Sequence, residues 1–415
     1  MRNKISVIFI SFLIFWLLFA PKSAIIPDST ISGWISNSVS LFLILYVCLD
    51  LQYILLGKNK TFNLLLLIFF TISLYSVYYN IDTINKYELQ NIENSPQGVT
   101  SIKYLLYYSI GVFASSLYVQ RISNTKYIKT LLETFVVLFL IVLIPSYIEV
   151  LTTPIEQDVL TEYSFGNKFT LGYYHLYLCT FYYLLHPYLS NKKHKIGLFF
   201  LTFLMFFFSV ITQCSTMLMG ALILMFLSLF ASDSLRNHIA SAKLIIISVL
   251  VFDIGFFFLA TWFLQYDFVQ YFIEDVLHKD LTLTGRIQIY MDIQEAFTES
   301  PWIGLGYGNS IVVSKYFTRA YDSQNGLVEL FIQIGGIGVA VFLLLVYIAA
   351  KASEKNNISK FPFVAFVYAI IAISTVEIPF KHTFIFILSF CFIQGKGYPK
   401  ALFKQTRDKI KRKHY

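Results

Sequence analysis

The sequence predicts an all-α, polytopic integral membrane protein. It reads as one membrane-embedded domain (1–415) of about twelve transmembrane helices with one large external loop (265–324). Three observations carry this. Apolar residues make up 57% of the 415 and charged ones 13%, with a mean hydropathy of +0.65. The apolar residues fall into long runs, and a bilayer core of ~30 Å needs ~20 of them per helix. Lys and Arg gather in every second break between the runs, as the positive-inside rule requires.

In chain order the runs are 5–20, 34–56, 62–79, 102–119, 128–150, 171–189, 197–212, 215–231, 244–264, 325–350, 361–378 and 383–394. Backbone groups in lipid must be satisfied within their own segment, so each run is expected to be helical. The alternation of a membrane barrel is absent. The first run follows Arg2 and Lys4 and looks like a secretory signal, but further spans follow, so an uncleaved first helix is expected. The seventh and eighth runs meet at a tight turn, Gln213–Cys214, and the last two at the short break Pro379–His382. Asp253 falls in the middle of the ninth, where it must be paired, protonated or in a wet cavity. Gly335, Gly336 and Gly338 in the tenth read as close helix packing.

With Met1–Lys4 inside, the alternate breaks, including the edge residues Lys103 and Lys129, hold 23 of the 32 basic residues inside and nine outside. Lys192, Lys193 and Lys195 share one inner turn, and eight lie between Lys396 and Lys413 in a basic cytoplasmic tail (395–415). Acids run the other way: Asp233, Glu354 and Asp408 are inside, against 15 in outer breaks. Both termini are therefore placed in the cytoplasm. The net charge of +8 follows from this asymmetry, and the tail suits anionic lipid headgroups rather than nucleic acid. The inner breaks are short and hold no Walker pattern, which argues against ATP-driven chemistry. Cys48, Cys179, Cys214 and Cys391 stand singly in or beside apolar runs and read as small apolar filler. Clustered Tyr75, Tyr78, Tyr79, Tyr173 and Tyr174 read first as an interfacial belt.

The external segment Gln265–Gln324 has its own order. Ile287, Tyr290, Met291, Ile293 and Phe297 recur mostly at three- and four-residue spacing, which predicts an amphipathic helix over Gly285–Glu299, on the membrane face or against the bundle. Thr284 is its expected N-cap and Pro301 its stop. Gly304, Gly306 and Gly308 then permit a tight turn with close backbone approach. No solenoid repeat and no inverted duplication of the transporter kind is visible.

The stretch GRIQIYMDIQEAFTESPWIGLGYGNS (Gly285–Ser310), followed by YDSQNGLVELFIQIGGIG (Tyr321–Gly338), resembles the bacterial O-antigen polymerase and O-antigen ligase superfamily. The close match covers about fifty residues, and SFGNKFTLGYYHLYL (Ser164–Leu178) is similar to a second, looser pattern of that family. The resemblance implies metal-independent, inverting glycosyl transfer, without a cofactor, at the outer face of the bacterial inner membrane. Donor and acceptor would both be undecaprenyl-pyrophosphate-linked glycans, with membrane lipid and a chain-length regulator as further partners. Pyrophosphate needs charge stabilisation as it leaves, and arginine supplies a bidentate fork, which makes Arg286 the leading catalytic and donor-binding residue.

The chain departs from that pattern in two places. Ligases of the superfamily carry His-Asn at the entrance to the tenth span, and here the matching pair is Gln324-Asn325, expected to bind substrate. Gln cannot act as a base, which favours a polymerase over a ligase. A second arginine is expected after the tight turn, yet ITQCSTMLMG (Ile211–Gly220) has none; Arg319, Lys168 and Lys381 are the candidate substitutes. For the proton acceptor the candidates are His175, which otherwise serves as a bundle hydrogen bond, and Glu329 or Glu377, near the outer ends of their helices. The expected activity is polymerisation of lipid-linked repeats. A ligase using lipid A–core and a polysaccharide flippase or secondary transporter are the alternatives.

Overall fold

The computed structural model describes residues 4–20, 29–48, 59–90, 100–123, 125, 127–152, 162–263, 266–271, 286–356 and 360–395. The expected cap at Thr284, residues 272–285 of the external loop and the basic tail after Gly395 lie outside the described residues.

The chain runs α1 (Lys4–Leu18), α2 (Ser29–Cys48), α3 (Lys60–Tyr79), α4 (Ile81–Gln90), α5 (Ile102–Ser123) and α6 (Ile128–Thr152). A two-stranded antiparallel ribbon follows, β1 (Glu162–Tyr163) and β2 (Gly166–Asn167), in an outer break where only loop was expected. Glu149 anchors it, accepting from the Ser164 backbone N–H (2.6 Å) and hydroxyl (2.9 Å). Then come α7 (Lys168–Leu184), α8 (Asn191–Ile211), α9 (Ser215–Met225, extended by a π-helical turn to Phe230), α10 (Asp233–Ile239) and α11 (Ala242–Val249). A π-helical stretch, Leu250–Gly255, joins α11 to α12 (Phe256–Phe263). The segment expected to lie outside, the outer segment in that sense, contributes α13 (Asp267–Tyr271), α14 (Arg286–Asp292), α15 (Gln294–Glu299) and α16 (Ser310–Thr318). The chain closes with α17 (Gly326–Glu354), α18 (Lys360–Ser374) and α19 (His382–Gly395).

Helices stand at all twelve expected places. Among the described residues five are long and apolar enough to cross a bilayer: Lys60–Tyr79, Ile128–Thr152, Asn191–Ile211, Ala242–Leu259 and Gly326–Glu354. Five further apolar helices are shorter. Helix length and composition thus carry five crossings, fewer than the twelve expected from the runs.

Amphipathic spacing decides which faces pack. On α6 the exposed residues Val137, Ile141, Ile144 and Ile148 form one stripe at three- and four-residue spacing, while Phe135 and Phe139 on the other face are fully buried. Phe139 meets Phe15 of α1 edge-on at 4.9 Å, and Phe135 meets Phe181 of α7 at 4.8 Å. Hydroxyls within the bundle are satisfied locally: Ser73, Thr180, Thr202 and Ser209 each donate to the carbonyl four residues back. The helix α17 packs on α3, α11 and α19, and α9 packs on both α8 and α18.

A smaller core joins the outer layer to α17. It contains Ile84 and Tyr87 of α4, Tyr290 and Ile293 of the outer segment, Val312 and Val313 of α16, and Val328 and Ile332 of α17. The expected amphipathic helix is therefore packed against the bundle, and it is broken at Ile293 into α14 and α15.

The join is made by backbone. Gly335 interrupts α17 with φ 63° and ψ −176°. The two helical bonds that this break removes would run from Gly336 and Ile337 to Ile332 and Gln333. The turn that begins at Pro301 is inserted there as a wedge and replaces both. Gly336 and Ile337 N–H donate to the carbonyls of Pro301 (2.8 Å) and Trp302 (3.2 Å), while Leu305 and Gly306 N–H donate to those of Ile332 (2.6 Å) and Gln333 (3.0 Å). A Cβ on Gly304 or Gly335 would run into the backbone of the opposite segment. From α3, Ser76 donates to Gln333 O (2.6 Å), and the Asn80 amide just beyond that helix donates to Gly304 O (2.7 Å).

Candidate functional site

The wedge fixes the N-terminal part of α17, and the segment before that helix is shaped by its own side chains. Asp322 Oδ1 accepts from the Gln324 backbone N–H (3.0 Å) and from its side-chain amide (2.5 Å). This holds Gln324 in the left-handed region, φ 53°. Asn325 then caps α17, its Oδ1 accepting from Val328 N–H (3.1 Å). Its amide donates to the carbonyls of Asp253 (3.0 Å) and Thr375 (3.3 Å). Asn325 is fully buried, so it ties three segments beneath the site. The Asp253 side chain is fully buried as well, in the π-helical stretch.

Arg286 opens α14, and its Nη2 stands 3.9 Å from Glu377 Oε1, both side chains largely covered. Tyr290, one turn further on, is buried, and its hydroxyl points between the carbonyls of Gln324 (3.0 Å) and Thr375 (3.1 Å). Burial pushes the Tyr290 phenol up, which keeps it a donor. Glu377 lies beyond the end of α18, in the connection to α19. Burial raises its carboxyl to about 7; Asp322 adds to the rise, while Arg286 and Lys381 oppose it.

A cavity of about 390 Å³ adjoins this group, with Asp322 and Lys381 in its wall. Glu329 also lines it, but its carboxylate is already engaged, accepting from the Ser323 hydroxyl (2.8 Å) and the Gln333 amide (2.9 Å). Glu329 thus serves as an anchor for Gln333 one turn along.

The other predicted residues fall elsewhere. His175 is buried, with Nε2–H donating to Leu201 O (2.8 Å) and the Tyr147 hydroxyl donating to Nδ1. A neutral ring with both nitrogens engaged is the bundle contact rather than the proton acceptor. Lys168 comes to the tight turn at Gln213–Cys214: burial pushes the Cys214 thiol up to about 11, with Glu377 adding to the rise and Lys168 and Arg286 opposing it. Lys168 therefore stands near where the missing arginine was expected. Arg319 caps the end of α16 in the left-handed region, φ 62°, with its side chain exposed.

Sequence reasoning passed over Asp322, Tyr290 and Gln333. Two of them carried a readable signal: Asp322 stands two residues before Gln324, the spacing of an Asx turn, and Gln333 stands four after Glu329. Among the described residues no cluster of three or more His, Cys, Asp or Glu side chains could hold a metal ion. Cys179, Cys214 and Cys391 are free and buried.

Fold and site together define an all-α protein with membrane-length helices and a charged, partly covered site at one end of them. Comparison with family models, with curated proteins and with solved structures gives no match.

Proposed function

We propose that this chain is a glycosyltransferase of the bacterial inner membrane that polymerises undecaprenyl-pyrophosphate-linked repeat units into a surface polysaccharide. In this reading about twelve spans place both termini in the cytoplasm and the Arg286 site outside. The observation that carries it is the Arg286–Glu377 pair beside a cavity with Asp322 and Lys381 in its wall, at the head of the segment that resembles the O-antigen polymerase and ligase superfamily. At 3.9 Å the pair is loose, so the guanidinium can exchange the carboxylate for pyrophosphate oxygens as the donor arrives. That exchange frees Glu377 to act as the base; with Arg286 still beside it the carboxyl stands at about 7, and withdrawal of the guanidinium raises it further and makes it a stronger proton acceptor.

The acceptor hydroxyl oxygen then attacks the anomeric carbon of the donor. The bond from that carbon to pyrophosphate breaks, its electron pair leaves with undecaprenyl pyrophosphate, and the hydroxyl proton passes to Glu377. Arg286 balances the charge gathering on the leaving group, with Lys168 and Lys381 as the supporting cations. Gln324, standing where the ligases carry histidine, favours polymerisation over ligation.

A glycan gel from a deletion strain tests the reading. Surface glycan reduced to single capped repeats is the expected result. Full-length chains retained on the lipid carrier would instead indicate a ligase, and repeats accumulating at the cytoplasmic face a flippase.

A further inference from the structure

We infer that the cavity beside Asp322 is a binding site for one pyranose unit of the glycan acceptor, and that Gln333 is its specificity-determining residue. That the ligand is a sugar rests on the glycosyl-transfer reading; the construction of the site does not. The volume, about 390 Å³, falls within the roughly 300–1,000 Å³ of small-ligand sites. Its wall combines two chemistries. Tyr108, Tyr307 and Phe380 supply aromatic surface, with His382 set edge-on to Tyr108 at 4.2 Å. A pyranose presents an apolar C–H face that packs on such rings and a rim of hydroxyls that seek polar partners.

Gln333 provides the polar partner, and it is oriented before any ligand arrives. Its Nε2 donates to Glu329 Oε1 (2.9 Å), and its Oε1 accepts from Gly308 N–H (3.0 Å). Glu329 accepts and Gly308 donates, so the amide has one orientation only. These bonds use one of its two N–H groups and one of its two lone pairs. One donor and one acceptor on a fixed plane remain for a ligand, matching a sugar hydroxyl, which both gives and takes a hydrogen bond. The backbone of Gln333 is fixed as well, since its carbonyl lies in the wedge and accepts from Gly306 and Ser76. Asp322 and Ile378, the residue after Glu377, lie in the same wall, so the cavity stands next to the Arg286–Glu377 pair.

Saturation-transfer NMR on the full chain in nanodiscs tests this, with the methyl glycosides of glucose, galactose and N-acetylglucosamine as probes and sorbitol as the acyclic control. At least one glycoside should give ring-proton signals well above sorbitol. Gln333→Leu and, on a different helix, Tyr108→Leu should each weaken its binding about three- to tenfold, the worth of one hydrogen bond or one ring contact. Glycosides no better than sorbitol, or binding unaltered in both cavity variants, would overturn the site. Should either variant misfold, the other decides. Glycoside signals together with normal polymer in an Arg286→Ala strain would sink the transferase reading and keep the sugar site; silent spectra with lost polymer would do the reverse.

Discussion

At Glu377 a single carboxyl links burial to rate. Burial and the neighbouring Asp322 raise it to about 7, so near neutral pH it is divided between acid and carboxylate. Only the carboxylate can accept the hydroxyl proton, hence kcat/KM, which reports the free enzyme with Arg286 still facing Glu377, should fall as pH drops through about 7, approaching tenfold per unit below it. Glu377→Gln should lower the rate and flatten that limb, measured with isolated lipid-linked repeat as substrate; an unchanged pH profile would remove Glu377 from the base role. Much of this site was legible in residue chemistry. Arg286 was named through the resemblance and the charge a leaving pyrophosphate needs balanced, Glu377 as an ionisable group near the expected outer end of its helix, and the two come together. His175 and Glu329 were named on the same grounds, but their partners Tyr147, Leu201, Ser323 and Gln333 lie on other turns and segments, and no spacing reveals that their polar atoms are already engaged. Asp322 was passed over because a lone outer acid beside polar neighbours looks like a solvated loop residue.

On the scale of elements, the turn inserted into α17 is the feature that holds the outer layer to the bundle. Gly335 needs both a left-handed φ and the absence of a Cβ, whereas Gly336 is helical and meets only ordinary contacts. Gly335→Ala should therefore destabilise the protein by several kcal/mol, from backbone strain and the displaced Trp302 backbone together. Gly336→Ala should be neutral or slightly stabilising, by up to about 1 kcal/mol. Thermal unfolding of the two purified variants checks this, and equal midpoints would contradict the wedge. The glycines were legible as a place of close approach, but Ile332, Ile334 and Ile337 sit within one long apolar run and no proline marks a stop, so the break itself was not. Nor was the partner: the expected neighbour was a helix, and the observed one is a turn thirty residues upstream. The helices were more readable, because apolar runs and stripes such as Val137, Ile141, Ile144 and Ile148 follow from the period of the helix alone. The ribbon at Glu162–Asn167 escaped notice because two-residue strands leave no period to read.

For the whole molecule, the claim is that charge asymmetry, a helical bundle and one covered outer site together make a polymerase. Reporter fusions within Asn191–Lys195 and after Gly395 should give cytoplasmic activity, and fusions within Gln265–Gln324 periplasmic activity. A cytoplasmic signal from the last would turn the site to the wrong side of the membrane for a lipid-linked donor. The most direct test of the central claim is the surface-glycan ladder of a deletion strain complemented with Arg286→Ala, run beside a membrane immunoblot and an Arg286→Lys strain. Loss of one electrostatic stabiliser costs about 10²–10³ in rate. The ladder should therefore disappear in Arg286→Ala and be strongly reduced in Arg286→Lys, which keeps the charge but not the fork, at unchanged protein level. A wild-type ladder from Arg286→Ala would contradict the account and return Arg286 to the role of an interfacial anchor.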